Sequence, residues 1–217
     1  GLDCAVIWAA GLGLTVNCLA AAASRFGFTG REIFPIENQI SQLHVADLDG
    51  DGLNDIIVIN NARSKLNLLY NQTGKTNLAE KPRPSGKREL NELPPDARFR
   101  LESIASEKRI AALAAADLNS DGRPDLAYYG EPRELILLHN EGNDNWSVTK
   151  RWPIEDGQLT QNALATGDLN GDGRTDLILL AENCAYLLLQ QKDRTLGEPQ
   201  KIPLSGTVKS IQVVDVD

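Results

Sequence analysis

Aspartates recur in three short segments with one spacing. The segments are DLDGDGLND at 47–55, DLNSDGRPD at 117–125 and DLNGDGRTD at 168–176. Each carries oxygen-bearing side chains at its first, third, fifth and ninth positions and a glycine at its sixth, which lets the backbone reverse so that these side chains converge. Oxygen ligands that include two or more carboxylates suit a hard divalent cation, and Ca²⁺ tolerates an irregular loop better than Mg²⁺ does. The sequence therefore predicts three calcium loops.

The predicted ligands are the four oxygen-bearing side chains of each loop together with the backbone carbonyl of its seventh residue. Arg123 and Arg174, at the seventh position, are expected to contribute only their carbonyls and to point their side chains into solvent. The full predicted set is Asp47, Asp49, Asp51, Leu53 and Asp55; Asp117, Asn119, Asp121, Arg123 and Asp125; and Asp168, Asn170, Asp172, Arg174 and Asp176.

An ion-free turn and an EF-hand loop are the alternatives to this type of calcium loop. Asp, Asn and Gly also form tight Asx-type turns without any ion. Three copies of one nine-residue pattern favour a cation over such turns. An EF-hand is excluded, because its loop ends on a bidentate Glu at the twelfth position, where this chain has Val58, Tyr128 and Leu179.

The elements around the loops repeat as well. An apolar stretch leads into each loop, and the runs IIVI, LAYY and LILL follow it; further along come LNLLYN, LILLHN and YLLLQQ. Each unit thus predicts a strand, the acidic loop, a second strand, a short turn, a third strand and an outer strand. Trp146–Lys150 and Lys201–Leu204 are predicted outer strands, and DVD at 215–217 begins a fourth copy.

One segment has a local preference that conflicts with the repeat. Residues 110–116, IAALAAA, are rich in alanine and favour a helix by intrinsic propensity. The same place in the other copies is too short and too variable for a helix, so the repeat predicts a strand there.

Composition limits the class of protein. The chain has 217 residues, 41% of them hydrophobic and 24% charged, which is typical of a globular protein. Its net charge is −8, and the acidity is concentrated in the loops, so a nucleic-acid partner is not expected. The chain contains no nucleophile elbow, phosphate loop or zinc-ligand spacing, and it is not expected to be an enzyme by itself.

The N-terminus differs from the rest of the chain. Residues 5–23 carry no charge and end in a run of alanines, which predicts a secretory signal peptide within residues 1–23. A membrane anchor through 5–23 and a buried helix are the alternatives. Gly1 is not Met, so the true start is expected upstream. Cys184 is the one cysteine after this segment, so no intrachain disulfide is expected in the mature part.

The loops and their flanking strands resemble the calcium-loop repeats called FG-GAP or VCBS repeats, of the bacterial type. The resemblance covers residues 31–217, with a Pro-rich inserted loop at about 76–97. It implies an all-β protein built of β-propeller blades, here three repeats and the start of a fourth, in an incomplete propeller. Bound calcium would then fix the directions of the two strands that each loop joins.

Two functions remain open from the sequence. The first is a secreted, periplasmic or cell-surface propeller that binds a protein or polysaccharide and is stabilised by calcium. The second is an accessory propeller domain of an exported polysaccharide lyase or hydrolase, with its catalytic part beyond Asp217. Loop residues, and not the fold, are expected to carry the specificity for this partner.

Overall fold

Twelve β-strands and no helix make up the part of the chain that the computed structural model describes, which is residues 34, 36–75 and 97–214. This part of the chain is all-β, as the repeat pattern predicts. The strands are β1 Ile40–Ala46, β2 Asp55–Asn60, β3 Lys65–Asn71, β4 Phe99–Ala105, β5 Arg109–Ala116, β6 Asp125–Glu131, β7 Glu134–Gly142, β8 Asn145–Pro153, β9 Leu164–Gly167, β10 Asp176–Leu180, β11 Cys184–Leu188 and β12 Gln200–Pro203.

The strands form three antiparallel sheets of four strands, each in simple chain order. Sheet 1 contains β1 to β4, sheet 2 contains β5 to β8, and sheet 3 contains β9 to β12. The first strands of the three sheets are neighbours, because β5 lies beside both β1 and β9. In each sheet the last residue of the first strand pairs with the aspartate that opens the second strand; these pairs are Ala46 with Asp55, Ala116 with Asp125, and Gly167 with Asp176.

Two apolar layers hold the sheets together. Sheet 2 is buried on both faces, and alternation along its strands divides its side chains between the layers. Leu126 and Tyr128 face sheet 1, whereas Ala127 and Tyr129 face sheet 3. A strand covered on both faces has no solvent side, which explains why LAYY and its counterparts are continuous apolar runs.

The alanine-rich segment is a strand, as the repeat predicts against helix propensity. Ala112 and Ala114 of β5 are buried and contribute to the layer between sheets 2 and 3. Small side chains suit this strand, because it lies between the first strands of the other two sheets. Tertiary packing therefore overrides the intrinsic preference of alanine.

Several predictions from the sequence lie outside the described residues. These are the signal peptide or anchor at 1–23, nearly all of the Pro-rich loop at 76–97, and the fourth copy at 215–217. Among the described residues no closed propeller is present. A search of the same residues for a long apolar helix that could cross a membrane finds none.

Candidate metal centre

The three acidic loops occupy equivalent places in the three sheets. Each loop joins the first strand of its sheet to the second and ends on the aspartate that begins the second strand. The sixth residue of every loop has a positive φ, between 80° and 86°, which favours glycine. These residues are Gly52, Gly122 and Gly173.

The first aspartate of each loop holds the loop in shape. In loop 1 the carboxylate of Asp47 accepts hydrogen bonds from the backbone N–H groups of Gly50, at 2.8 Å, and Gly52, at 2.9 Å. Asp168 does the same in loop 3, and the N–H of Gly173 is the main cause that lowers the pKa of its carboxyl. Backbone donors thus stabilise the negative charge of this aspartate.

The ninth aspartate of each loop is fully buried and ties the loop to the third strand. In loop 2, Asp125 accepts one hydrogen bond from the backbone N–H of Leu118 and another from that of Asn140, at 3.1 and 2.9 Å. Burial raises the pKa of Asp125 to about 6 and also raises the pKa of Asp55. Equivalent bonds to Asp55 come from Leu48 and Asn71, and those to Asp176 come from Leu169 and Gln190.

A cationic side chain meets the fifth aspartate of every loop. Lys75 places its Nζ 2.6 Å from Asp51, and this contact is the main cause that lowers the pKa of the Asp51 carboxyl. Arg123 contacts Asp121 at 2.6 Å, and Arg174 contacts Asp172. Both arginine side chains are partly exposed, as expected, but each also has an ion-pair partner that the sequence did not predict. Each guanidinium is held by two acceptors, because its Nε also donates to a carbonyl at the end of the third strand.

Loop 1 fits a divalent cation by geometry as well as by composition. One carboxylate oxygen each from Asp47, Asp49 and Asp55 lie within 4.8 Å of one another. In loops 2 and 3 asparagine replaces the aspartate at the third position, and its side-chain oxygen accepts a hydrogen bond from the fifth residue. All three loops thus supply only oxygen donors, as a hard cation requires. The carboxylate cluster is found in loop 1, and the ligand roles of all the predicted residues in the three loops stay predictions.

Sequence reasoning missed three residues at the end of the third strands. Asn71, Asn140 and Gln190 each donate a backbone N–H to the buried aspartate of their own loop. The signal was present in the repeat, since each follows the third apolar run of its unit and bears a side-chain amide. The repeat did not indicate a role for Lys75. In the other two loops the cationic residue, Arg123 or Arg174, lies within the loop itself, whereas Lys75 follows the third strand.

The sequence model of the family described as FG-GAP-like repeat matches residues 117–179, from the first residue of loop 2 into the strand after loop 3. The chain carries an FG-GAP-like repeat. FG-GAP-like repeats generally bind calcium, and the carboxylate cluster of loop 1 agrees with that property.

No curated protein matches the chain. Among solved structures, a lectin from Agrocybe aegerita that recognises non-reducing terminal N-acetylglucosamine is similar, with 16% sequence identity and a TM-score of 0.42. The match covers 75% of this chain and 38% of that lectin, so this chain corresponds to less than half of the lectin's length.

Proposed function

We propose that the chain is an extracellular, calcium-stabilised arc of β-propeller blades that acts as a binding scaffold for a protein or polysaccharide partner. The observation that carries this proposal is the repeated acidic loop, in which the carboxylates of Asp47, Asp49 and Asp55 converge to within 4.8 Å. The family match over 117–179 supports it.

The sheet arrangement supports the blade interpretation. Each sheet has four strands in chain order, and the first strands of successive sheets are neighbours. Radial repetition of such sheets is how propellers are built, and four to eight of them close a ring. The described residues supply three, so the proposal is an arc.

Calcium would act as a structural ion. Without it, the described residues that offset the loop carboxylates are one lysine or arginine per loop, backbone N–H groups and, in loop 2, the side-chain amide of Asn119. A divalent ion would convert the remaining repulsion into attraction and fix the directions of the two strands that leave the loop. Extracellular calcium modules typically bind at about 10⁻⁴ to 10⁻³ M, which gives constant occupancy outside cells. This is the reason to propose a secreted, periplasmic or cell-surface location.

An open groove between sheets 2 and 3 is a candidate contact surface for a partner. It has a volume of about 540 Å³ and is lined by aromatic side chains, Trp152 and Tyr186, together with carboxylates, Asp156 and Glu198. Its polar groups are hydrogen-bonded in pairs: the Tyr186 hydroxyl donates to Asp156 at 2.8 Å, and the Trp152 indole donates to Glu198 at 3.1 Å. Such a lining offers both apolar and hydrogen-bonding contacts.

The proposal is tested by thermal unfolding of metal-stripped protein with and without millimolar calcium. Calcium should raise Tm, because an ion that binds only the folded state stabilises it. Asp51→Ala should remove part of the gain, since two loops remain. Asp193→Ala is the matched control, because Asp193 is an exposed aspartate that caps a turn outside the loops. Equal melting curves with and without calcium would refute the metal assignment.

A further inference from the structure

Two residues at the ends of third strands hold their own loops through the backbone. The N–H of Asn140 donates to the carboxylate of Asp125 at 2.9 Å, and the N–H of Gln190 donates to that of Asp176 at 2.8 Å. Both residues are buried. Their backbone positions are therefore tied to the loops of sheets 2 and 3.

The side chains of the same two residues reach the loop of the preceding sheet. The Nδ2 of Asn140 donates to the carbonyl oxygen of Leu48 in loop 1, at 2.8 Å, across 92 residues of sequence. The Nε2 of Gln190 donates to the carbonyl oxygen of Asp117 in loop 2, at 3.4 Å, and its Oε1 accepts a hydrogen bond from the Ser120 hydroxyl. Each residue thus connects two loops.

The acceptors of these bonds lie next to the groups that hold the preceding buried aspartate. The N–H of Leu118 belongs to the same peptide group as the Asp117 carbonyl and donates to Asp125. In loop 1 the connection passes through one residue and not through one peptide group: the bonded carbonyl belongs to Leu48, whose own N–H donates to Asp55 at 2.8 Å. A chain of hydrogen bonds, continued through the backbone of Leu48, therefore crosses all three sheets. In order it contains Asp176, Gln190, Asp117 with Leu118, Asp125, Asn140, Leu48 and Asp55.

We propose that Asn140 and Gln190 are positioning residues that couple the three acidic loops, so that ordering of one loop by a divalent cation raises the cation affinity of its neighbour. Buried hydrogen bonds in series polarise one another. A shift of one buried carboxylate also moves the backbone of Asn140 or Gln190, whose side chain holds the preceding loop. The claim about cation affinity rests on the proposed function. The claim that hydrogen bonds couple the loops is independent of it.

Asn71 provides a matched control. It holds the same place in sheet 1 and donates its N–H to Asp55, as Asn140 does to Asp125. Its Nδ2 donates to the carbonyl of Asn54 within its own loop, and Asn140 makes the equivalent bond to Pro124. Asn71→Ala therefore removes the bond within a loop and leaves the bonds between loops intact.

The first experiment measures amide hydrogen exchange at Leu48 in metal-free full-length chain. Gln190→Ala, which does not touch loop 1, should speed exchange at Leu48 severalfold relative to the Ile57 amide in β2, which reports global unfolding. The same substitution should have no further effect in an Asn140→Ala background and an unchanged effect in an Asn71→Ala background. Asn140→Ser, too short to reach Leu48, replaces Asn140→Ala if that variant does not fold. No response at Leu48, or an equal response in the Asn140→Ala background, would overturn the coupling.

The second experiment measures calcium binding by isothermal titration. The natural chain should bind with a Hill coefficient above 1, equivalent to a rise of about fivefold or more in the affinity of a neighbouring loop. Asn140→Ala and Gln190→Ala should reduce cooperativity at unchanged stoichiometry, whereas Asn71→Ala should retain it. Independent binding of calcium by the loops of the natural chain would overturn the claim about cation affinity without contradicting the proposed function. Absence of any calcium binding would instead refute the proposed function, and the exchange experiment would still decide the coupling.

Discussion

The ammonium group of Lys75 lies 2.6 Å from a carboxylate oxygen of Asp51, and 3.0 Å from one of Asp49. Lys75 follows the third strand of sheet 1, yet it takes the place that Arg123 and Arg174 take in the other loops. Every acidic loop thus has its own cationic side chain, positioned where a metal ion is expected. A calcium ion would have to compete with this side chain for the fifth carboxylate.

Replacing Lys75 by methionine should therefore strengthen calcium binding by loop 1. Removal of one nearby positive charge in a solvated site is worth about 1 kcal/mol, or roughly fivefold in affinity. The pKa of Asp51 should also rise toward its ordinary value. Isothermal titration and NMR titration of the carboxyl measure the two effects. Arg63→Met is the control, because it removes an exposed ion pair with Glu37 away from the loop. Weaker calcium binding by Lys75→Met would contradict the competition.

The buried ninth aspartate should matter for folding even without metal. Asp125→Ala would leave the N–H groups of Leu118 and Asn140 buried without an acceptor, at a cost of about 1–3 kcal/mol each. Asp121→Ala removes a partly exposed ion pair and should cost less than about 1 kcal/mol. Urea unfolding in the presence of a chelator measures both. Equal losses would show that the buried carboxylate has no special structural role.

The second residue of each loop is leucine, and the three leucines differ in burial. Leu48 is 1% exposed and Leu118 is 0% exposed, each within an apolar layer between two sheets, whereas Leu169 is 36% exposed. Replacement of either buried leucine by alanine should cost about 2–5 kcal/mol of unfolding free energy. Leu169→Ala should cost less than about 1 kcal/mol. Chemical denaturation of the three variants provides the comparison, and a loss at Leu169 as large as at Leu118 would contradict it.

All four tyrosines should resist ionisation. Burial raises the pKa of Tyr70, Tyr128 and Tyr129 to about 12 in each case, and a hydrogen bond to Asp156 raises that of Tyr186. Because the unfolded value is about 10, the neutral phenols contribute stability that is complete below pH 10 and is lost as pH rises through about 12. Ultraviolet absorbance of tyrosinate should show no ionisation near pH 10 in folded protein. A titration with a midpoint near 10 would indicate solvated tyrosines.

The repeat made most of the fold predictable. Internal comparison was sufficient to predict a strand in IAALAAA, where propensity alone favours a helix, because three copies of a unit must share one structure. It also located the outer strands, since Trp146–Lys150 lies within β8 and Lys201–Leu204 overlaps β12.

Contacts between distant parts of the chain were not predictable in the same way. Spacing predicts that carboxylates converge, but it does not tell which cation approaches them. Lys75 reaches loop 1 because β3 runs antiparallel to β2 and returns the chain to that edge of the sheet. Asn140 reaches Leu48 only because sheets 1 and 2 pack face to face. Arginine at the seventh position is compatible with solvent exposure by residue type alone, and its two acceptors appear only in three dimensions.

The number of calcium ions bound per chain tests the central claim most directly. Metal-stripped protein should bind three ions in isothermal titration, one for each acidic loop, with dissociation constants of about 10⁻⁴ to 10⁻³ M. Substitution of the fifth aspartate should lower the number of ions bound at millimolar calcium by one for each loop that is changed. Absence of binding at millimolar calcium, or binding unaffected by Asp51→Ala, Asp121→Ala and Asp172→Ala, would contradict the claim that these loops are calcium sites.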